Sequence, residues 1–154
     1  MPSHAERKFL PYQPEQLFDL VADVARYPEF LPWCIGARVR RRETNFLVAD
    51  LIIGFKMFRE RFTSEVTLDR PRRIDVKYTE GPLRHLENSW VFEPAPGGCI
   101  IDFHVDFAFK SIILEKLIGT VFGEAVRRMV AAFEARAHAT LRPVSEGGPA
   151  ASPA

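Results

Sequence analysis

Apolar and polar residues alternate along most of the chain between residues 35 and 110. Such alternation is typical of strands with one face in a core and the other in water. The connectors, for example residues 69–72 and 94–98, are short and contain Pro or Gly, which favours antiparallel hairpins. With a first alternating segment at residues 4–10, the pattern predicts about seven strands, the others at residues 35–40, 46–55, 58–69, 73–78, 85–93 and 99–110.

The spacing of an amphipathic helix occurs in two places. The first covers residues 14–25 and begins at Pro14, which suits the first turn of a helix. The second covers residues 111–141, with Ser111 as an acceptable N-cap and a long apolar stripe. Gly119 and Gly123 interrupt this stripe, so we expect either a bend or break there or the close approach of a strand or ligand.

This order of elements predicts an α+β fold, in which a curved antiparallel sheet grips the long C-terminal helix. Between the first helix and the second strand, residues 26–33 (RYPEFLPW) combine two prolines with four large apolar or aromatic residues. They predict a short helical turn followed by a rigid loop. That loop forms either the mouth of a cavity or an aromatic plug at the end of the core, and the sequence does not separate these alternatives.

The composition is that of one globular domain. The 154 residues are 47% hydrophobic and 27% charged, which argues against a disordered chain. We assign residues 1–142 to the domain and residues 143–154, rich in Pro, Gly, Ser and Ala, to a disordered tail. We find no targeting signal and no apolar run long enough to span a membrane. Cys34 and Cys99 are interpreted as free thiols in a reducing compartment, so we expect a cytoplasmic protein.

The charge is nearly balanced, with a formal net charge of +1. No overall field therefore favours nucleic acid, and we expect no DNA partner. The densest basic run is Arg38, Arg40, Arg41 and Arg42. A solvated outer face with cross-strand ion pairs is the favoured interpretation, and an interaction patch is the alternative.

Polar residues interrupt the apolar parity of the predicted strands at Glu60, Ser64 and Asn88, while Tyr78 and Trp90 add a hydroxyl and an indole N–H. Buried polar groups are costly unless they have partners. They either pair with protein groups or trapped water, or they face an internal cavity and orient a ligand. The first alternative is the commoner one in proteins.

Candidate catalytic groups are few. The chain has no Gly-x-Ser-x-Gly motif and no phosphate-binding glycine loop. His104 shares a strand face with Asp102 and Asp106, but we expect that face to be the solvated one. The four histidines show no zinc-ligand spacing, and Cys34 is interpreted as a packing residue. We therefore expect no catalytic residue, no metal and no catalytic cofactor.

Four segments resemble the coenzyme Q-binding family of START-like, polyketide cyclase-related proteins. They are YPEFLPWC at residues 27–34, RFTSEV at 61–66, NSWVFEP at 88–94, and DFAFKSIILEKLIG at 106–119 followed by FGEAVRRMVAAFEARA at 122–137. The resemblance runs from about residue 4 to residue 142. It implies a START-like helix-grip fold of seven strands around the C-terminal helix, with an apolar tunnel between them.

The resemblance also implies non-catalytic binding of ubiquinone or a related isoprenoid lipid, in support of respiratory electron transport. The partners would be this small hydrophobic ligand and, peripherally, the inner membrane or respiratory complexes. A bacterial branch of the family resembles a ribosome association toxin, so an inhibitor of large-subunit joining is the first alternative. An aromatase/cyclase-type enzyme is the second, by analogy of fold alone.

Under the lipid-binding hypothesis, the tunnel lining comes from the inner face of the strands and from the helix, and the loop forms the mouth. Donors are required because quinone oxygens only accept hydrogen bonds. The candidate ligand-binding residues are Tyr27, Phe30, Leu31, Trp33, Phe62, Ser64, Tyr78, Asn88, Trp90, Phe92, Phe103, Val105, Phe107, Leu117, Val121 and Phe122.

Overall fold

The computed structural model describes residues 3–55 and 58–144, except for the side chains of residues 55, 58, 114 and 117–123. The strands are β1 Ser3–Leu10, β2 Cys34–Glu43, β3 Phe46–Phe55, β4 Phe58–Asp69, β5 Arg73–Glu80, β6 Leu83–Ala95 and β7 Gly98–Phe109. The helices are α1 Pro14–Ala22 and α2 Ile112–Thr140, and a 3₁₀ helix covers Val24–Glu29.

The seven strands form one antiparallel sheet with the order β1-β7-β6-β5-β4-β3-β2. Strands β2 to β7 pair with their neighbours in sequence through hairpins. Strand β1 instead pairs with β7. Helix α2 begins where β7 ends, and its Phe133 packs against Trp90 on the inner face of the sheet, with ring centroids 5.0 Å apart. The predicted α+β helix-grip fold is confirmed.

Proline sets the end of the first helical region. The prediction of one helix over residues 14–25 was too long, because α1 ends at Ala22 and the chain continues as the 3₁₀ helix that contains Pro28. Proline has no N–H for a helical bond and disfavours α geometry in the residue before it. The predicted short helical turn and loop therefore occur, and the turn starts earlier than expected.

Helix α2 begins directly after Ser111, as the sequence predicts. It runs without a break through Gly119 and Gly123, so the predicted break is absent. At the other end the described chain stays attached to the domain, since the Val144 N–H donates to the Pro11 carbonyl at 2.8 Å. The rest of the predicted tail, residues 145–154, lies outside the described residues.

The alternation in β2 contains an irregularity that the pattern does not show. Register shifts occur between Cys34 and Gly36 and again between Val39 and Arg41. An extra residue in one strand shifts the alternation, so the side chains that follow it lie on the opposite face of the sheet from the one expected. As a result Ile35, which the simple alternation placed inward with Ala37 and Val39, is 48% exposed.

The inner face of the sheet carries two separate clusters of buried apolar residues. The larger one joins α1, the C-terminal half of α2 and the β6 and β7 residues around Trp90 and Phe103. The smaller one, Leu83, Phe107 and Phe109, lies where β7 ends and has Phe62, Tyr78 and Leu86 packed against it. Among the described residues, the larger number of buried apolar side chains thus lies at the end of the sheet that α1 covers.

Candidate functional site

The inner face of the sheet has a stretch that is incompletely covered, and we call it the half-buried wall. Its side chains point inward by strand register and yet are only partly buried. The apolar members come from four neighbouring strands, and two polar side chains lie among them. The half-buried wall consists of Leu51, Ile53, Phe62, Tyr78, Leu86, Ser64 and Asn88.

Asn88 is the polar residue of the half-buried wall with an unmet hydrogen bond. It lies between Val76 of β5 and Val105 of β7 in the sheet register. Its Oδ1 atom is buried and has no hydrogen-bond partner among the described residues. A buried polar atom without a partner is costly, so this position favours a bound polar group.

Tyr78 places its hydroxyl at the edge of the half-buried wall, beside the β5–β6 turn. The hydroxyl accepts a hydrogen bond from the Leu83 N–H at 2.7 Å, which leaves its own hydrogen out of that bond. Burial raises the pKa of Tyr78, so the phenol keeps this proton at neutral pH. Gly81 is required here, because a Cβ on it would lie 2.7 Å from the Tyr78 oxygen and its φ is +145°. Ser64 faces Tyr78 across β4 and β5.

The other end of the inner face is closed. Trp90 is 6% exposed and lies 4.6 Å from Phe103 between ring centroids, while Phe92 packs against Phe18 of α1. A cavity of about 20 Å³ remains there, lined mainly by apolar residues of β1, β7, α1 and α2 and by the Lys8–Glu134 ion pair. That volume suits one water molecule and not a lipid tail.

The proline-rich loop lies against this closed end. The rings of Tyr27 and Phe30 each pack on Phe133 of α2, with centroids 5.3 Å away in both cases. The Tyr27 hydroxyl donates to the Val21 carbonyl, and burial raises the pKa of this phenol far above its ordinary value. Arg136 lies over Phe30 and donates to Glu29 at 2.6 Å. Tyr27 and Phe30 therefore close the core, which is the arrangement the plug alternative describes.

The candidate ligand-binding residues fall into four groups in the structure. Phe62, Ser64, Tyr78 and Asn88 belong to the half-buried wall, and Phe107 is buried beside it. Trp90, Phe92, Phe103 and Val105 lie in the packed core, and Tyr27, Phe30 and Leu31 close its end. Trp33 is half-buried in the turn just before β2, with a φ of 66°. The side chains of Leu117, Val121 and Phe122 lie outside the described residues.

Groups that could perform covalent or acid–base chemistry are poorly placed for it. Both cysteines are buried free thiols, and burial raises the pKa of Cys34 and brings that of Cys99 to about 11. His104 is half exposed beside Asp106 on the outer face, as the sequence predicts. Within the described residues, no cluster of three His, Cys, Asp or Glu side chains is suited to a metal ion.

One polar cluster escaped the sequence analysis. Asp50 and Thr63 are buried on the outer face, where the Thr63 hydroxyl donates to Asp50 at 2.6 Å. Arg38 and Arg40 approach the same carboxylate at 3.6 Å, which is the cross-strand pairing expected for the basic run. The signal was the single carboxylate within the apolar run of β3. Glu60, in contrast, is exposed and not a buried polar residue of the inner face.

Residues 10–134 match the family described as "Polyketide cyclase / dehydrase and lipid transport". The chain is 38% identical over 146 residues to the ribosome association toxin RatA of Rickettsia prowazekii, covering 92% of this chain and all of that protein. It is 37% identical over 139 residues to the mitochondrial coenzyme Q-binding protein COQ10 homolog B of Xenopus laevis, covering 87% of this chain. The chain spans only 57% of the length of that second relative.

A START superfamily protein from Mycobacterium smegmatis has the same fold, with a TM-score of 0.77, 16% identity, and coverage of 89% of this chain and 97% of that one. The class defined by sheet and helix is thus START-like. The chain belongs to the polyketide cyclase/dehydrase and lipid transport family. The predicted family resemblance is confirmed, and neither relative's name denotes an enzyme. In the part of the chain that the structure describes, no helix combines the length and apolarity needed to cross a bilayer.

Proposed function

We propose that this protein binds ubiquinone or a related isoprenoid lipid, without catalysis, against the half-buried wall. The observation that carries the proposal is the partial exposure of inward-facing apolar residues around a buried amide with an unmet hydrogen bond. A relative that is named as a coenzyme Q-binding protein supports the ligand class. The role would be to support respiratory electron transport from the cytoplasm, with peripheral contact at the inner membrane.

The lipid tail would bind through apolar contacts and the head group through hydrogen bonds. Apolar burial contributes about 25 cal/mol per Å², so covering Leu51, Ile53 and Phe62 with a lipid tail would provide most of the affinity. The head group needs hydrogen-bond donors, which Ser64, Tyr78 and Asn88 supply. The small cavity near Trp90 is excluded as the tail site by its size.

Asn88 suits both redox forms of a quinone. A quinone oxygen only accepts hydrogen bonds, whereas a quinol hydroxyl also donates one. The amide of Asn88 presents Oδ1 to a quinol, and a half-turn about its terminal bond presents Nδ2 to a quinone. The site would thus hold either form, as a carrier between redox partners requires.

Organic extraction and mass spectrometry of gently purified protein test this proposal. We expect an isoprenoid quinone at close to one molecule per chain, and its amount should fall in Phe62→Asp. The matched control is Val91→Asp, a half-buried position on the outer face of β6. Lipid-free protein that also fails to take up added ubiquinone would contradict the proposal.

Ribosome association is the second candidate, because the match to the named toxin extends over all of that relative. The test is sedimentation with isolated large ribosomal subunits at low and high salt, since phosphate contacts are strongly salt-dependent. Co-sedimentation of lipid-free protein would favour this candidate over the carrier.

The aromatase/cyclase alternative finds support in the description of the family. The described thiols are buried with raised pKa values, and His104 lies on the outer face. Turnover of a polyketide substrate would be needed to revive an enzymatic role.

A further inference from the structure

We propose that the end of the fold where α2 begins docks onto an anionic lipid bilayer. We call this region the docking end. It is the sheet edge at which β2, β4 and β6 start and β3, β5 and β7 finish. This inference deepens the proposed function and rests on it only for the lipid site close to the docking end. The docking itself rests on exposed apolar side chains and unpaired cations at this edge.

The first observation is a concentration of exposed large apolar side chains. Ile112 and Ile113, in the first turn of α2, are 68% and 73% exposed. Ile35 is exposed at the start of β2, where its side chain lies over Gly54 at the end of β3. Three of the four exposed large apolar residues in the described chain thus lie at the docking end, and the fourth, Phe9, pairs with Ile100 near the opposite edge.

The second observation is the distribution of unpaired cations. Most arginines elsewhere, such as Arg7, Arg26 and Arg70, form ion pairs. At the docking end, six exposed cations lie within three residues of a strand end or in the first turns of α2 and have no carboxylate within 4 Å among the described residues. They are Arg59, Arg61, Lys77, Arg84, Lys110 and Lys116.

Carboxylates do not cancel this charge. The acidic residues equally close to this edge in the described chain are Glu60, Glu80, Asp106 and Glu115, so six cations stand against four anions. Excess positive charge beside protruding isoleucines matches the chemistry of a bilayer, where headgroups are anionic and the layer below is apolar. A nucleic acid would satisfy the cations and leave the isoleucines in water, so the combination favours a membrane.

The docking end lies next to the half-buried wall, so membrane docking would bring the lipid site close to the bilayer. Phe62, Tyr78 and Leu86 of the half-buried wall lie within five residues of where β4 starts, β5 ends and β6 starts. A lipid leaving a docked bilayer would therefore meet the half-buried wall first. The packed core around Trp90 lies farther from this edge.

Vesicle flotation with full-length protein tests the docking. Neutral phosphatidylcholine vesicles are compared with vesicles that contain phosphatidylglycerol. We expect preferential binding to the anionic vesicles, and a loss of about fivefold or more in the partition coefficient of Ile112→Ser/Ile113→Ser. The control is Phe9→Ser, which removes a large apolar side chain that is 50% exposed at the opposite edge and should change partitioning less than about twofold.

A charge-matched pair tests the cations. Arg84→Gln/Lys116→Gln should lower anionic-vesicle binding by about fivefold, whereas Arg42→Gln/Arg142→Gln, with the same change in net charge at exposed sites far from the docking end, should lower it much less. Circular dichroism confirms that each variant is folded. Absence of wild-type binding to anionic vesicles, or equal losses in test and control variants, would overturn the docking proposal.

The two proposals fail separately. Protein that retains quinone and ignores vesicles would exclude docking and keep the lipid site. Protein that binds vesicles through the isoleucines and contains no lipid would keep docking and exclude the carrier.

Discussion

Thr63 and Asp50 form a buried hydrogen bond between β4 and β3, in which the hydroxyl donates to the carboxylate at 2.6 Å. Asp50 is 4% exposed, and only the two arginine side chains above it offer it further charge compensation among the described residues. A buried carboxylate that loses a donor costs more than the mean value of a hydrogen bond.

Removing this hydroxyl should therefore destabilise the sheet. We expect Thr63→Val to lower the free energy of unfolding by about 1–3 kcal/mol in urea denaturation. Thr63→Ser keeps the donor and should lose much less. If Thr63→Val were as stable as the wild type, this hydrogen bond would not contribute to the free energy of unfolding.

Asn88 should favour ligand binding at the expense of stability. Because Oδ1 is buried without a described partner, Asn88→Leu is expected to raise the free energy of unfolding of the empty protein by about 1 kcal/mol. The same change should weaken ubiquinone binding about tenfold, measured by quenching of tryptophan fluorescence. Ser89→Ala, on the opposite face of β6, should change neither quantity appreciably. A destabilised Asn88→Leu variant with unchanged binding would contradict the assignment.

The ion pair between Lys8 of β1 and Glu134 of α2, at 2.8 Å, should make stability depend on pH. The hydrogen bond from Lys8 lowers the pKa of Glu134 below 4.5, burial opposes this, and His138 adds to the lowering. The hydrogen bond to Glu134 in turn raises the pKa of Lys8 above 10.5, with a smaller contribution from Glu6. The carboxylate contribution is thus present above about pH 4.5 and lost below it, and the lysine contribution is lost above pH 10.5.

Substituting the lysine tests the acid side of this dependence. Lys8→Met should lose less stability than the wild type between pH 7 and pH 3, as measured by thermal unfolding. Lys116→Met removes an exposed lysine without an ion pair among the described residues and should follow the wild-type curve. Parallel curves for Lys8→Met and wild type would show that the pair contributes nothing.

Both thiols should resist modification in the folded protein. Burial raises the pKa of Cys34 and brings that of Cys99 to about 11, so the thiolate is scarce at neutral pH. We expect Ellman's reagent to react with both cysteines only after guanidinium is added. Rapid reaction of either one at pH 7.5 would show that its surroundings open readily.

The alternation of apolar and polar residues predicted most of the fold because one face of the sheet is buried along its strands. In β7, for example, every second residue from Cys99 to Phe109 is apolar and buried. It failed at Ile35, since an extra residue reverses facing without any mark in the composition. The helical spacing also placed the end of α1 three residues too far, because it continued into a segment that Pro28 holds in a tighter helix.

The candidate site was less accessible to sequence reasoning. Trp90 and Phe62 have the same parity on their strands, and yet one is tightly packed and the other half-buried. That difference depends on what α1 and the Tyr27–Phe30 rings cover, which is a property of tertiary packing. Periodicity assigns a side chain to a face and carries no information on which part of that face stays uncovered.

The difference in burial between the packed core and the half-buried wall has a consequence for how such a protein can change over generations. Substitutions near Phe62 and Leu86 meet a loosely filled surface and should be tolerated, whereas those near Trp90 disturb the contacts on which folding depends. Selectivity for a new lipid could thus evolve at the half-buried wall while the packed core around Trp90 maintains the fold.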